Sequence, residues 1–124
     1  MKVKDAMKQP FVIEKDISFS EAAKIMSSKG IGSLIVVSKG MLKGIITEGD
    51  LIKNFNKNGK ISSAMNKNVI SIDPKEDMTA ALAVMRENKI KHLPVVEDSK
   101  LIGIITLTDI AANADELEED FFFD

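Results

Sequence analysis

The pattern of hydrophobic and polar positions repeats once along the chain. The segment GIITEGD occupies residues 44–50, and GIITLTD occupies residues 103–109, 59 positions later. In both copies a glycine and two isoleucines precede a threonine, and an aspartate follows three positions after the threonine. Because self-similarity at a fixed period marks a repeated structural unit, the chain is predicted to consist of two halves that share one fold.

Each half is predicted to begin with a short lead-in, an extended segment and an amphipathic helix. The lead-ins are residues 1–7 and 61–65, and the extended segments are residues 11–13 and 69–72. The first helix is expected to start with a capping box at Ser18 and to end at Gly30, and the second is expected to start at Asp77. The predicted inward faces consist of Phe19, Ala22, Ala23 and Met26 in the first helix and of Met78, Ala81, Leu82 and Met85 in the second.

A hairpin and a short helix complete each half. Continuous apolar runs predict the hairpins, residues 34–37 with 42–47 and residues 93–96 with 101–106. Pro94 predicts an edge or strand-start position, because proline has no amide to donate to a sheet. Short helices are expected over residues 51–55 and from Ile110 onward.

The predicted fold class is α+β, with two β-α-β-β-α repeats related by a pseudo-twofold axis and packed sheet to sheet. A half of about 60 residues is too small to bury both its helices and its sheet alone, which favours a shared core. The predicted boundaries are residues 1–57 for the first repeat, 58–114 for the second and 115–124 for a C-terminal tail.

Composition narrows the class of protein. The 124 residues are 44% apolar and 29% charged, as in soluble globular proteins, and no apolar run approaches the roughly 20 residues of a membrane helix. The absence of cysteine excludes disulfides and thiolate zinc sites, and the seven methionines are interpreted as core filling rather than metal ligands. Without a secretion signal in the sequence, a cytoplasmic location is expected.

Charge is distributed unevenly. Six of the 19 acidic residues lie in residues 115–124, so the other 13 face 17 basic residues and the body carries about +4. A mildly basic body suits a small anionic ligand, but it is too evenly charged to favour nucleic acid. The tail combines these acids with three phenylalanines, and both a solubilising end and a docking segment remain open interpretations.

The repeated heptapeptide carries the candidate chemistry. Thr47 and Thr106 are predicted at a strand-to-helix turn, with Asp50 and Asp109 in or just before the first helical turn. A hydroxyl and unpaired backbone amides suit a phosphate, whereas a carboxylate can accept hydrogen bonds from the two hydroxyls of a ribose. Together these groups predict a ribonucleotide site.

A purely structural interpretation stands beside this one. Threonine and aspartate at a helix start are also capping residues, worth about 1 kcal/mol. The reuse of the same pair after the same Gly-Ile-Ile favours the ligand interpretation. It predicts that Asp109→Ala weakens ribonucleotide binding while leaving the stability of the free protein nearly unchanged.

The motifs together resemble a tandem pair of cystathionine-β-synthase (CBS) domains over residues 1 to about 114. The resemblance rests on KDAM and SSAM at residues 4–7 and 62–65, on the helices through Met26 and Met85, on HLPVV at residues 92–96, and on both heptapeptides.

This resemblance implies a stand-alone regulatory module that senses an adenine nucleotide, AMP, ADP or ATP, in two clefts between the halves. S-adenosylmethionine is the alternative ligand, and no obligatory cofactor is implied. One cleft would use Thr47 and Asp50 with Asn68, Val69 and Ile70, and the other would use Thr106 and Asp109 with Phe11, Val12 and Ile13. Energy sensing, a homodimer and an unknown effector protein are expected as in the family.

The resemblance also implies that the two sites are unequal. A basic residue often precedes the central strand in this family, and here His92 holds that position with Lys91 beside it. The first half has Gly32 and Ser33 instead, so the resemblance implies phosphate binding less strongly on that side.

No catalytic set is visible in the sequence. His92 and Asp109 could be imagined as a dyad, but no nucleophile accompanies them, so an enzyme is rejected. A ligand-free protein-interaction module remains the principal alternative to the sensor.

Overall fold

The computed structural model describes residues 1–115. Their helices are α1 (Val3–Ala6), α2 (Phe19–Lys29), α3 (Glu48–Lys53), α4 (Met78–Asn88) and α5 (Leu107–Ala112). Their strands are β1 (Val12–Ile13), β2 (Ser33–Ser38), β3 (Met41–Thr47), β4 (His92–Glu97) and β5 (Lys100–Thr106), and a 3-10 turn spans Ile61–Ser63. The predicted α+β class and the repeated order of elements are confirmed.

The chain forms two compact units that do not coincide with the sequence repeats. The central unit is the contiguous segment Phe11–Val69. The terminal unit combines Met1–Pro10 with residues 70–115. The lead-in of each repeat therefore folds with the helix and hairpin of the other repeat.

The central unit is a three-stranded sheet with helices packed on it. Strand β1 runs parallel to β2, and β2 pairs antiparallel with β3. Its core is the apolar set Phe19, Ala22, Met26, Leu34, Val36, Ile46 and Ile61. The 3-10 turn is held by Asp16, which accepts hydrogen bonds from the amide and the hydroxyl of Ser62. These bonds lower the pKa of the Asp16 carboxyl.

The terminal unit is built around the hairpin β4–β5. Its core is the set Val3, Ile72, Met78, Ala81, Met85, Leu93, Val95, Ile105 and Ile110. Val3 comes from the N-terminus and is fully buried, so the lead-in is an integral part of this core. Lys2 Nζ lies 2.8 Å from Asp77 Oδ1, and this contact lowers the pKa of Asp77 and raises that of Lys2.

Several local predictions are confirmed. Both hairpins form, and Pro94 lies in a strand of a two-stranded sheet, where its missing amide is tolerated. Ser18 caps α2 by accepting the amide of Glu21, and Gly30 ends that helix with a left-handed φ of 63°.

Other predictions were wrong in detail. The extended segment expected at residues 69–72 reduces to a single bridge between Ile72 and Val95. Ala23 is exposed rather than inward-facing. Asp77 stands at the start of α4, but its side chain makes no capping bond because it pairs with Lys2.

The two short helices begin earlier than predicted, at Glu48 and Leu107. Each starts directly after its threonine, because the threonine is the N-cap. The predicted tail, apart from Asp115, lies outside the described residues.

Candidate functional site

The two Thr-x-x-Asp segments form the same structure at the same place in each unit. Strand β3 ends at Thr47 and α3 follows, and β5 ends at Thr106 and α5 follows. In each case the threonine hydroxyl accepts the amide of the aspartate, while the aspartate accepts the amide of the threonine. This reciprocal arrangement is a capping box, and it fixes the aspartate at the turn.

In the central unit the capping box uses one carboxylate oxygen. Asp50 Oδ2 accepts from the amide of Thr47 at 2.9 Å and from its hydroxyl at 3.0 Å. Asp50 is partly exposed, and within residues 1–115 no hydrogen bond or ion pair engages its Oδ1. A carboxylate oxygen on a fixed side chain is thus available to an incoming donor.

In the terminal unit both carboxylate oxygens are engaged. Asp109 Oδ2 accepts from the amide and the hydroxyl of Thr106, each at 2.9 Å. Its Oδ1 lies 2.9 Å from Lys8 Nζ. The Asp109 side chain is 3% exposed and that of Lys8 is 71% exposed, so a buried carboxylate is held by an ammonium that faces water.

Lys8 was not among the predicted site residues. Its backbone bridges Ile104 in β5, and Asn66 makes the matching bridge to Ile45 in β3. Each follows a methionine of the lead-in, Met7 or Met65. An alignment of the two lead-ins would have shown that Lys8 corresponds to Asn66. Only the structure shows that the Lys8 ammonium group contacts Asp109.

The predicted supply of unpaired amides at the turns was wrong. Besides the threonine and aspartate amides, that of Glu48 donates to Gly32 O and that of Leu107 donates to Lys91 O, both at 3.0 Å. Three of the first four amides of each turn are therefore already bonded. The carboxylates, rather than the helix amides, are the groups that the turns can offer to a ligand.

Two of the residues predicted to precede the central strands, Ser33 and His92, begin those strands and lie next to the turns. Ser33 pairs with Thr47 across β2–β3, and His92 pairs with Thr106 across β4–β5. Ser33 is buried, His92 is half-buried and Lys91 is exposed. The only imidazole of the chain and one lysine thus flank the Asp109 turn, whereas a serine and a glycine flank the Asp50 turn.

The remaining predicted contacts are divided between the units. Asn68 and Val69 share the central unit with Thr47 and Asp50, and Ile70 belongs to the terminal unit. The central unit also contains Phe11, Val12 and Ile13. These residues were predicted to contribute to the site at Thr106, which belongs to the terminal unit. Their contacts with a ligand stay a prediction.

Two kinds of feature are not found in the described part of the chain. Residues 1–115 contain no group of three or more His, Cys, Asp or Glu side chains arranged to hold a metal ion. Within the same residues, no helix has the length and apolar character needed to cross a membrane.

The repeated fold and the duplicated capping box define a class of protein. A family model described as CBS domain matches residues 3–57 and, a second time, residues 61–116. The chain therefore belongs to the CBS-domain family and contains two copies of the domain, as the sequence resemblance implied.

Individual members of the family are similar to this chain over most of its length. The CBS domain-containing protein YhcV of Bacillus subtilis is 31% identical over 117 residues, which cover 90% of this chain and 84% of YhcV. The inosine-5′-monophosphate dehydrogenase of Nitrosopumilus maritimus is 36% identical over 111 residues, covering 88% of this chain but 23% of the enzyme. The similarity to the dehydrogenase thus concerns a minor part of that enzyme.

Among solved structures, the CBS domain pair of protein MJ0100 is similar over nearly its whole length. The TM-score is 0.87 at 34% identity, and the match covers 94% of this chain and 98% of that chain. That protein was solved in complex with 5′-methylthioadenosine and S-adenosyl-L-methionine. That CBS domain pair thus binds adenosyl compounds.

Proposed function

We propose that this chain is a regulatory module that binds adenosine-containing ligands at its two Thr–Asp capping boxes and transmits their presence to a partner protein. The observation that carries the proposal is the carboxylate of Asp50. Its Oδ2 is fixed by Thr47, and its Oδ1 is available at the surface. A carboxylate held in this way is preorganised to accept hydrogen bonds from a vicinal diol.

The ribose of an adenosine compound supplies such a diol. Each hydroxyl donates one hydrogen bond, and bonds to a charged acceptor are stronger than neutral ones. The proposed ligands AMP, ADP, ATP, S-adenosylmethionine and 5′-methylthioadenosine all carry this group. The complex of the 34% identical MJ0100 pair with two adenosyl compounds supports the choice of class.

The proposal assigns the other predicted residues to the rest of the ligand. Phe11, Val12, Ile13, Val69 and Ile70 would supply apolar contacts to the base, with Asn68 as a polar contact. Ser33, Lys91 and His92 would meet the substituent at the 5′ position, because two of them stand directly opposite the threonines.

We further propose that the signal leaves through protein contact, from a homodimer to an effector protein. Ligand binding would shift the population between packings of the chain, as any ligand with different affinities for two states must. Size-exclusion chromatography with light scattering measures the proposed dimer, and a monomer at all concentrations would contradict it.

A thermal-shift panel tests the ligand class. The panel contains AMP, ADP, ATP, S-adenosylmethionine, 5′-methylthioadenosine and adenosine, with 2′,3′-dideoxyadenosine as the matched compound that lacks the diol. A ligand at 100 times its Kd stabilises the folded protein by about 2.7 kcal/mol, which is readily measured. We expect stabilisation by at least one ribose compound and none by the dideoxy compound. Equal shifts with and without the diol would contradict the assigned role of Asp50.

A protein-interaction module without ligands is the second candidate. Two observations favour it: both Thr–Asp pairs already have a complete structural role as caps, and Ile52 and Phe55 are 70% and 83% exposed. Exposed apolar side chains of this size suit a protein contact. The absence of a thermal shift with every compound of the panel would select this candidate.

A further inference from the structure

We infer that Lys8 makes the Asp109 site selective for anionic adenosine ligands, whereas the Asp50 site accepts ligands of any charge. The inference deepens the proposed function and rests on it. The structure supplies its basis, because the same capping box occurs twice and an ammonium group holds the second carboxylate oxygen in only one of them within the described residues.

At the Asp109 site a ribose must compete with Lys8. Oδ2 is occupied by two hydrogen bonds from Thr106, and Oδ1 is occupied by the ammonium at 2.9 Å. A diol can reach Oδ1 only if Lys8 moves or shares the oxygen. The Lys8 side chain can move, because it is 71% exposed and has four rotatable bonds.

The charge of the ligand determines the free-energy cost of displacing Lys8 from Asp109. A neutral nucleoside takes the carboxylate oxygen and leaves the ammonium with water alone. A ligand with a phosphate gives the displaced ammonium a new anionic partner close to its original position. A ligand with a positive 5′ substituent, such as a sulfonium, adds repulsion from Lys8. Half-buried His92 and exposed Lys91 flank the same turn, so the added anion enters a basic surrounding.

At the Asp50 site, within the described residues, no corresponding ammonium group selects ligands by their charge. Asn66 makes the backbone bridge that corresponds to that of Lys8, and its amide oxygen accepts the amide of Asn68 at 3.0 Å. The residues flanking the turn are Gly32 and Ser33, which carry no charge. A neutral or cationic adenosyl compound therefore meets no electrostatic penalty there from these positions.

The proposal is tested by measuring Kd for AMP and for adenosine by calorimetry in variants that keep one site. In an Asp50→Ala background, only the Asp109 site remains, and AMP is expected to bind more tightly than adenosine. Adding Lys8→Gln should reduce the preference for AMP, expressed as the Kd of adenosine divided by the Kd of AMP, by about fivefold to tenfold. This is the contribution expected from one charge-assisted contact. The matched control is Lys75→Gln, which removes an exposed lysine of the same unit whose Nζ lies 3.9 Å from Glu97 Oε2.

A second variant, which adds a lysine to the other site, tests the proposal even if the Lys8→Gln protein does not fold. In an Asp109→Ala background, Asn66→Lys should create a preference for AMP over adenosine at the Asp50 site. An unchanged AMP-to-adenosine ratio in both Lys8→Gln and Asn66→Lys would overturn the role of Lys8 while the proposed function stands. Failure of the unmodified protein to bind any ribose compound of the thermal-shift panel would overturn both, so the two failures are distinguishable.

Discussion

Gly103 packs closely against the side chain of Met7. A Cβ added to this glycine would approach Met7 Sδ to 2.6 Å and the Lys8 carbonyl oxygen to 3.3 Å. Gly44 has the same relationship to Met65, whose Sδ would lie 2.9 Å from the added Cβ. The glycine of the heptapeptide and the methionine of the lead-in are thus one contact, which explains why both recur together.

Gly103→Ala is therefore expected to lower the free energy of unfolding by about 1–3 kcal/mol, because the added methyl overpacks a filled contact. Urea denaturation measures the loss. Gly49→Ala is the matched control, since its added Cβ meets only Thr47 Oγ1 at 3.7 Å and alanine favours the helix. Combining Gly103→Ala with Met7→Ala should recover part of the loss, and strict additivity of the two substitutions would argue against the contact.

The two aspartates should differ in their effect on the free protein. The expectation that Asp109→Ala leaves apo stability nearly unchanged does not fit a side chain that is 3% exposed, caps α5 and holds Lys8. We predict a loss of about 2 kcal/mol for Asp109→Ala, but of about 1 kcal/mol for Asp50→Ala, which removes a cap alone. Denaturation of the ligand-free variants compares them, and equal losses would show that the Lys8 contact adds no stability.

The Asp16–Ser62 contact should make part of the stability depend on pH. Hydrogen bonds from Ser62 lower the pKa of Asp16 below its ordinary value of 3.8. A carboxyl with a depressed folded-state pKa stabilises the fold above that ordinary value, and the contribution disappears as the pH falls through the lowered pKa. Asp16→Ala should therefore reduce Tm at pH 7 and have a progressively smaller effect as the pH falls below 3.8. Glu14→Ala, at an exposed position of the same unit, provides the control, and a pH-independent difference would refute the linkage.

Removal of residues 1–10 should destabilise the half of the chain that is remote in sequence. Val3 is fully buried against the terminal unit, and the backbone of Lys8 bonds to that of Ile104. In hydrogen exchange, the deletion should remove protection from β4 and β5 while β2 and β3 keep more of theirs. Lys4→Ala, an exposed change in the same segment, serves as control. Greater loss in β2 and β3 would contradict the division into units.

The sequence was sufficient for the repeat, the hairpins and the Thr–Asp turns, because these depend on local patterns that occur twice. It was insufficient where contacts join distant segments. The periodicity at residues 69–72 suits a strand, yet only Ile72 meets a partner. In the candidate site, the motif identified both aspartates, but the difference between them lies in Lys8, whose distance from Asp109 no local pattern encodes.

The division into units also sets an order for folding during synthesis. The central unit is contiguous, so all of its strands have left the ribosome once Val69 has emerged. The terminal unit needs Met1–Pro10 and β5 together, so Met1–Pro10 cannot complete its packing until β5 has also emerged. The Asp50 turn can therefore be complete before the Asp109 turn, and the contact between Lys8 and Asp109 can form only after Asp109 has emerged.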